Sequence, residues 1–241
     1  MKYILLFVTT ISLWSCDPKQ LGQLLETGAL SNEEIASGLK EALDLGVDKS
    51  VKTLSAQNGY YASIYKIVLP PEAQKVTAKL RSIPGFTNLE EEAVKKINKA
   101  AEDAASKAGP IFVNAIKQMT FADALNILMG EKDAATQYLI KTTYSSLYAE
   151  FKPVMVNSLN NFGALDYYED AVNTYNKIPF VEKVNPDLAD YVATKALDGM
   201  FALIKEKELG IRSDISQRTS GLLRKVFARQ DRWEWTDVMM Y

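Results

Sequence analysis

Apolar residues recur in steps of three and four along most of the chain, the spacing of helices that bury one face. Ile35, Leu39, Leu43, Val47, Val51 and Leu54 make one such stripe, opened by the capping pattern Ser31-Asn32-Glu33-Glu34 and closed by Asn58-Gly59. Tyr60 to Leu69 is rich in β-branched and aromatic residues and runs into Pro70-Pro71, which predicts an extended crossing and then a short helix from Pro71 to Ser82. After a turn at Ile83-Pro84-Gly85, Thr87-x-x-Glu90 starts an Ala-rich helix to about Ala108, where Gly109-Pro110 breaks or kinks the chain. Thr120-x-x-Asp123 caps another helix that Gly130 stops.

Asp133 opens the next segment, in which Ala135, Leu139, Thr143, Leu147 and Phe151 are spaced by four and Ile140, Tyr144 and Tyr148 widen the apolar face. Pro153 forces a bend or a new start, Asn161-Phe162-Gly163 ends that piece, and a Tyr-rich helix covers about Leu165 to Asn176. In Asn185-Pro186-Asp187 a capping residue stands directly before a first-turn proline; Leu188, Val192, Ala196, Met200 and Leu203 then keep helical spacing until Gly210. A last helix covers about Ile215 to Arg229. Period-two strand pairs are missing from the pattern. The expectation is an all-α fold, one irregular domain of about seven to nine helices over residues 31–229, with a short extended segment near 60–69 and a tail over 230–241.

The N-terminus is patterned differently. Lys2 precedes an apolar run from Tyr3 to Leu13, too short to span a bilayer, which predicts an export signal over residues 1–15. Leu13-Trp14-Ser15-Cys16 resembles the bacterial lipobox, with Trp14 where a smaller residue is usual. Cys16 is the chain's single cysteine, so lipidation there with residues 16–30 as a tether is the expectation, and an ordinary secretory signal is the alternative. Two or more acyl chains hold a protein stably on a membrane, whereas one anchors only marginally. The expected location is the bacterial cell envelope, lipid-anchored, facing the periplasm or the exterior.

Composition narrows the chemistry. The 241 residues contain no histidine, which removes Ser-His-Asp and Cys-His machinery and histidine-bearing zinc sites. Thirty acidic against 28 basic side chains leave a net charge of −2 and no reason to expect nucleic acid as a partner. Dinucleotide, P-loop, hydrolase-elbow and EF-hand motifs do not occur, so neither a cofactor nor a metal site is expected. Ser37-x-x-Lys40 and Ser63-x-x-Lys66 match the first element of a penicillin-binding serine site, but its Ser-Asp-Asn and Lys-Thr-Gly partners are missing. Among the acidic clusters, Glu90-Glu91-Glu92 reads as a helix N-terminus and Glu102-Asp103 as a solvated helix face, with Asp166-x-x-Glu169-Asp170 as a third.

Several strings resemble the bacterial family described as domain of unknown function 4197. They run from Leu45-Gly46-Val47, Asn58-Gly59-Tyr60 and Val68-Leu69-Pro70 through Ala100-Ala101-Glu102, Met119-Thr120, Asp123-Ala124 and Ile127-Leu128-x-Gly130. They continue with Ala134-Ala135-Thr136-x-Tyr138, Leu188-x-x-Tyr191, Asp198-Gly199-x-Phe201, Ile211-Arg212, Arg218-Thr219 and Val226-Phe227. Together they cover about residues 30 to 228; Ser220 stands where a second threonine is expected, and Arg229 to Tyr241 extend past the usual end. The resemblance implies a helical, exported or lipid-anchored bacterial protein and carries no catalytic residue over.

Polar residues inside apolar segments mark the candidate site. Asp123, Asp133, Thr136 and Thr142 have a local reading, as caps and as threonines bonding a carbonyl one turn earlier, and a second in which they face a pocket with Tyr138 and an arginine. Of six arginines only Arg81 lies outside the C-terminal segment; on a continuous helix Arg218, Lys225, Arg229 and Arg232 share a face suited to an anion, with Trp233 and Trp235 beyond. Leu222, Leu223, Val226 and Phe227 are expected to pack on earlier helices, with Arg212 or Arg218 partly buried against a carboxylate from them. The functional expectation is a non-enzymatic envelope module that binds an apolar or anionic small ligand or an envelope protein. The alternative is a histidine-independent hydrolase using carboxylates or Ser/Lys.

Overall fold

The computed structural model describes residues 30–80, 87–160 and 185–231, with 169, 172–173, 176–177, 179–180 and 183 between them. One compact unit spans Asn32–Tyr241. Its described residues form eight α-helices: α1 Asn32–Ser55, α2 Pro71–Leu80, α3 Leu89–Ala105, α4 Ala108–Gln118, α5 Phe121–Met129, α6 Ala134–Asn160, α7 Leu188–Ser213 and α8 Gly221–Asp231. A 3₁₀ turn at Ile215–Gln217 separates the last two, and there is no strand among the described residues. The all-α expectation holds. No helix among the described residues is long and apolar enough to cross a membrane.

Helix α7 is the centre of the packing. Fourteen of its 26 residues are buried, so it has to be covered on several sides. It packs most extensively on α6 and then on α1, while α3 lies mainly along α6, and α4, α5 and α8 close over α1. Gly38 permits the α1–α8 approach: a Cβ there would stand 2.5 Å from Val226 Cγ2. Gly199 on α7 likewise leaves room for the ring of Tyr60, whose hydroxyl donates to Ala196 O at 2.7 Å. That bond fixes the crossing between α1 and α2, which is turns followed by irregular chain over residues 56–70. Asn98 on α3 holds its far end, accepting from Ile67 N at 2.8 Å and donating to Ile67 O at 2.7 Å.

Several boundaries differ from expectation for identifiable reasons. The break expected at Gly109-Pro110 falls slightly earlier, at Ser106 and Lys107, so that Pro110 stands in the first turn of α4, where a missing N–H costs nothing. Pro153 lies inside the unbroken α6, on its exposed face, where water can serve the carbonyl of Ala149 that the proline leaves without a donor. The Thr87 capping pattern is not used: α3 starts after Asn88, which makes no side-chain cap. Asp187, not Asn185, caps α7, accepting from Asp190 N at 2.8 Å. The Tyr-rich helix expected over 165–176 and the tail expected over 230–241 fall largely outside the described residues, and Gln230 and Asp231 of that tail are the end of α8.

The glycines give a paired test of this packing. A Cβ at buried, mid-helical Gly46 would meet only Lys207 Cβ, at an ordinary 3.6 Å. Gly46→Ala should therefore stabilise the protein by about 0.5–1 kcal/mol, whereas Gly38→Ala should destabilise it by about 1–3 kcal/mol by overpacking α8. Urea unfolding followed by far-ultraviolet circular dichroism will read the opposite signs.

A buried carboxylate and two arginines at the helix ends

The short α5 ends at Met129 and α6 begins at Ala134, so this turn brings free carbonyls and free amides together at the edge of the core. Helix α7 satisfies both with side chains one turn apart. Glu208, 9% exposed, accepts from Ala135 N at 3.0 Å, Thr136 N at 2.8 Å and Thr136 Oγ1 at 2.8 Å. Arg212, 8% exposed, donates from Nη2 to Ile127 O at 2.9 Å and from Nη1, more weakly, to Leu128 O at 3.4 Å. The two join through Arg212 Nε and Glu208 Oε1 at 2.9 Å. Each charge faces the complementary helix end, the acid at the positive N-terminus of α6 and the base at the negative C-terminus of α5.

Arg218 repeats the device one step on. It is 2% exposed and donates to Ile211 O at 2.9 Å and Arg212 O at 2.8 Å, closing the C-terminus of α7. Its fork grips both oxygens of Asp231, each at 2.7 Å, and holds that carboxyl below its usual range. Leu223, Val226 and Phe227 are buried as expected, and the Leu222 side chain reaches the α1 backbone at Gly38. The arginines are also buried against carboxylates, but these come from α7 itself and from α8, not from earlier helices. Arg218 precedes α8 and cannot share a helical face with Lys225 and Arg229. Arg232, Trp233 and Trp235 lie outside the described residues.

The candidate residues therefore separate. Thr136 joins the Glu208–Arg212 pair, whereas Thr142 is exposed and bonds Tyr138 O at 2.8 Å. Asp123 forms the predicted capping box with Thr120, whose hydroxyl and amide hold its carboxyl below the usual value. Asp133 is not the side-chain cap of α6, because Glu208 occupies those amides; its carboxylate pairs with Lys205 at 2.7 Å and is held low mainly by that bond. Asp133 and Tyr138 do meet in an open groove of about 400 Å³ between α5 and α6, with Asn126, Ile127, Glu131, Gln137 and Lys141. Burial raises the Tyr138 phenol, which donates weakly to Ala115 O at 3.4 Å. On the core side of Glu208 and Arg212 a cavity lined by Leu39, Leu43 and Phe227 measures about 20 Å³.

The remaining chemistry is engaged in structure. At the start of α7, Tyr148 donates to Asp190, and Lys152 pairs with Asp187 at 2.6 Å, which keeps Lys152 above its ordinary value and protonated. Ser63 bonds Tyr60 O at 3.0 Å while Lys66 sits 4.0 Å over the Tyr61 ring, so this Ser-x-x-Lys match forms no catalytic pair. Lys40, from the other match, reaches Lys117 O at 3.2 Å. Glu91 and Glu92 are exposed and pair with Lys95. Asp166, Asp170 and Cys16 lie outside the described residues.

Glu102 overturns its expectation. It is 3% exposed instead of solvated, and its Oε1 has no hydrogen-bond partner. The composition around it was the available signal, because Ala100, Ala101, Ala104 and Ala105 are small residues that let neighbours close over that stretch of α3. Glu208 carried no comparable signal: Lys205-Glu206-Lys207-Glu208 reads as a solvated charge run, and only the tertiary approach of the α5–α6 turn gives it a role.

A family model for a protein of unknown function, DUF4197, matches residues 29–228, and the chain belongs to that family. No curated protein and no solved structure matches it.

Removing one member of the buried pair should cost more than removing Arg218. Glu208→Ala leaves a buried guanidinium unpaired and should cost about 3–5 kcal/mol, whereas Arg218→Ala leaves Asp231 where water reaches it and should cost about 1–3 kcal/mol. Thermal unfolding of the two variants will give the order. Acid titration tests Asp231 separately. Its folded pKa lies below the ordinary 3.8, so its contribution is present above that pH and is lost as pH falls through the folded value. Asp231→Asn should flatten the dependence of stability on pH below about 4.

Proposed function

We propose that this chain is a lipid-anchored cell-envelope protein whose helical unit is a non-catalytic module that binds a polypeptide segment in the α5–α6 groove. The observation that carries the binding reading is the contrast between the two concavities. The core cavity of about 20 Å³ has room for a single water, whereas small ligands occupy about 300–1,000 Å³. The groove, at about 400 Å³, reaches that range and is shallow and broadly open to solvent, which suits a polypeptide segment lying across it.

Its lining supports the same reading. Ile127, Ala134 and Tyr138 offer an apolar floor, and Asn126, Glu131 and Lys141 bring an amide and both signs of charge to the edge. Asp133, already paired with Lys205, adds little charge. The groove's position is fixed from behind, since Arg212 holds Ile127 O and Glu208 holds the first amides of α6. Cys16 after an apolar export signal supports the anchor, with residues 16–30 as the tether.

Two measurements test the reading. Radiolabelled palmitate should enter the wild-type chain and be lost with Cys16→Ala; label that survives the substitution rejects the anchor. A photo-crosslinking amino acid at position 138 should capture an envelope protein in intact cells, and Lys141→Glu should reduce that capture at least several-fold with unchanged circular dichroism. Capture equal to that of a control probe at exposed Thr142 rejects the groove.

A further inference from the structure

One stretch of the chain is bare of acids. Thirty acidic side chains are spread over 241 residues, yet none falls between Asp48 and Glu72, where Lys49, Lys52 and Lys66 stand. This stretch runs into the 56–70 crossing, which is well held. Tyr60, Ile67 and Leu69 are buried, and Ala62 N, Ser63 N and Lys66 N donate to Asn58 O at 2.9 Å, Tyr60 O at 3.1 Å and Ser63 O at 3.2 Å. Asn98 bonds both the amide and the carbonyl of Ile67. The crossing nonetheless presents apolar side chains to solvent, with Ile64 88% and Val68 49% exposed.

Scattered apolar residues are ordinary on a protein surface, but these two have a distinctive surround. Tyr61 and Tyr65 flank Ile64 in the chain and are half-buried. Tyr65 donates to Glu206 at 3.1 Å, and Tyr191 donates to the Val68 carbonyl at 3.4 Å. The Lys66 ammonium lies 4.0 Å over the Tyr61 ring. Of the acids that act on this face, Glu206 is paired with Lys207 and Glu91 with Lys95, while Glu72 acts on Tyr191. Exposed aliphatic side chains among tyrosines and a lysine suit the boundary between lipid tails and headgroups. There the aliphatic groups enter the acyl layer, the phenols stay at headgroup level and the ammonium meets phosphate. Such a contact requires no cavity.

The dimensions of the chain permit it. Residues 16–30, fully extended, span up to about 50 Å. Helix α1 is about 36 Å long, and the crossing starts directly after its last residue, Ser55, so even this far end is within the tether's reach.

We infer that the 56–70 crossing is a second membrane contact, in which Ile64 and Val68 enter the interface of an anionic phospholipid surface and Lys66 meets its headgroups. The inference rests on the Cys16 anchor proposed above, and the face shares no residue with the α5–α6 groove. Lipid at Cys16 holds the unit near the bilayer; the crossing sets which side of the unit faces it.

The test uses the full lipid-anchored chain in phosphatidylcholine vesicles with and without phosphatidylglycerol. Because Cys16 is acylated, Ala62→Cys supplies a single thiol for a fluorophore beside Ile64, and Thr142→Cys supplies a control on α6. Nitroxide-bearing lipid should quench the label at Ala62→Cys about twofold more than the control in anionic vesicles, and Ile64→Glu should remove that excess with unchanged circular dichroism. Without phosphatidylglycerol the excess should fall by about half or more. Flotation with the vesicles reports the anchor separately. In a chain that floats, equal quenching at the two labels, an excess that survives Ile64→Glu, or an excess as large without phosphatidylglycerol overturns this inference alone. Shielding of the Ala62→Cys label that appears only when envelope proteins are added does the same. A chain that does not float overturns the anchor and this inference with it.

Discussion

Two helix ends meeting at the edge of a core are the constraint on which this fold turns. The α5–α6 turn is too short for either helix to bury its last polar groups within itself, and water is largely excluded on the α7 side. An uncompensated buried amide or carbonyl costs roughly 1–3 kcal/mol, so several together would outweigh the packing that brings the helices close. Glu208 and Arg212, spaced by four on α7, cancel that cost from a single helix face. Because the central helix delivers them, the turn, the groove outside it and the core inside it share one registration.

Much of the fold could be read from spacing alone. The stripes of α1, α6 and α7 marked their buried faces, and Thr120-x-x-Asp123 and Gly130 marked the two ends of α5. What failed was the reading of Pro153 as a new start. The break near Gly109-Pro110 is there, with Pro110 in the first turn of the new helix, whereas a proline at a solvent-facing position leaves a carbonyl that water can serve and the helix runs on. Whether proline stops a helix is decided by which face it occupies, a tertiary fact.

The candidate site was less legible for a related reason. Asp123 and Asp133 stood out as acids among apolar residues, yet one caps its own helix and the other pairs with Lys205, while Glu102 read as part of a solvated helix face and Glu208 sat unremarked in an ordinary-looking charge run. Periodicity assigns a residue to a face of its own helix but does not say what covers that face. Arg212 and Arg218 were legible as positive charges beside apolar residues; that their main partners are backbone carbonyls at helix termini follows only from how the chain closes on itself.

The preference of Glu208 and Arg212 for main-chain atoms also shapes how this surface can change over generations. Amides and carbonyls are the same whatever side chains they carry, so the exposed residues of the turn and groove, Glu131, Gln137 and Lys141 among them, can be replaced without disturbing what holds them in place. Architecture is thus separated from surface chemistry along this turn, and descendants of this scaffold can vary the one while inheriting the other intact.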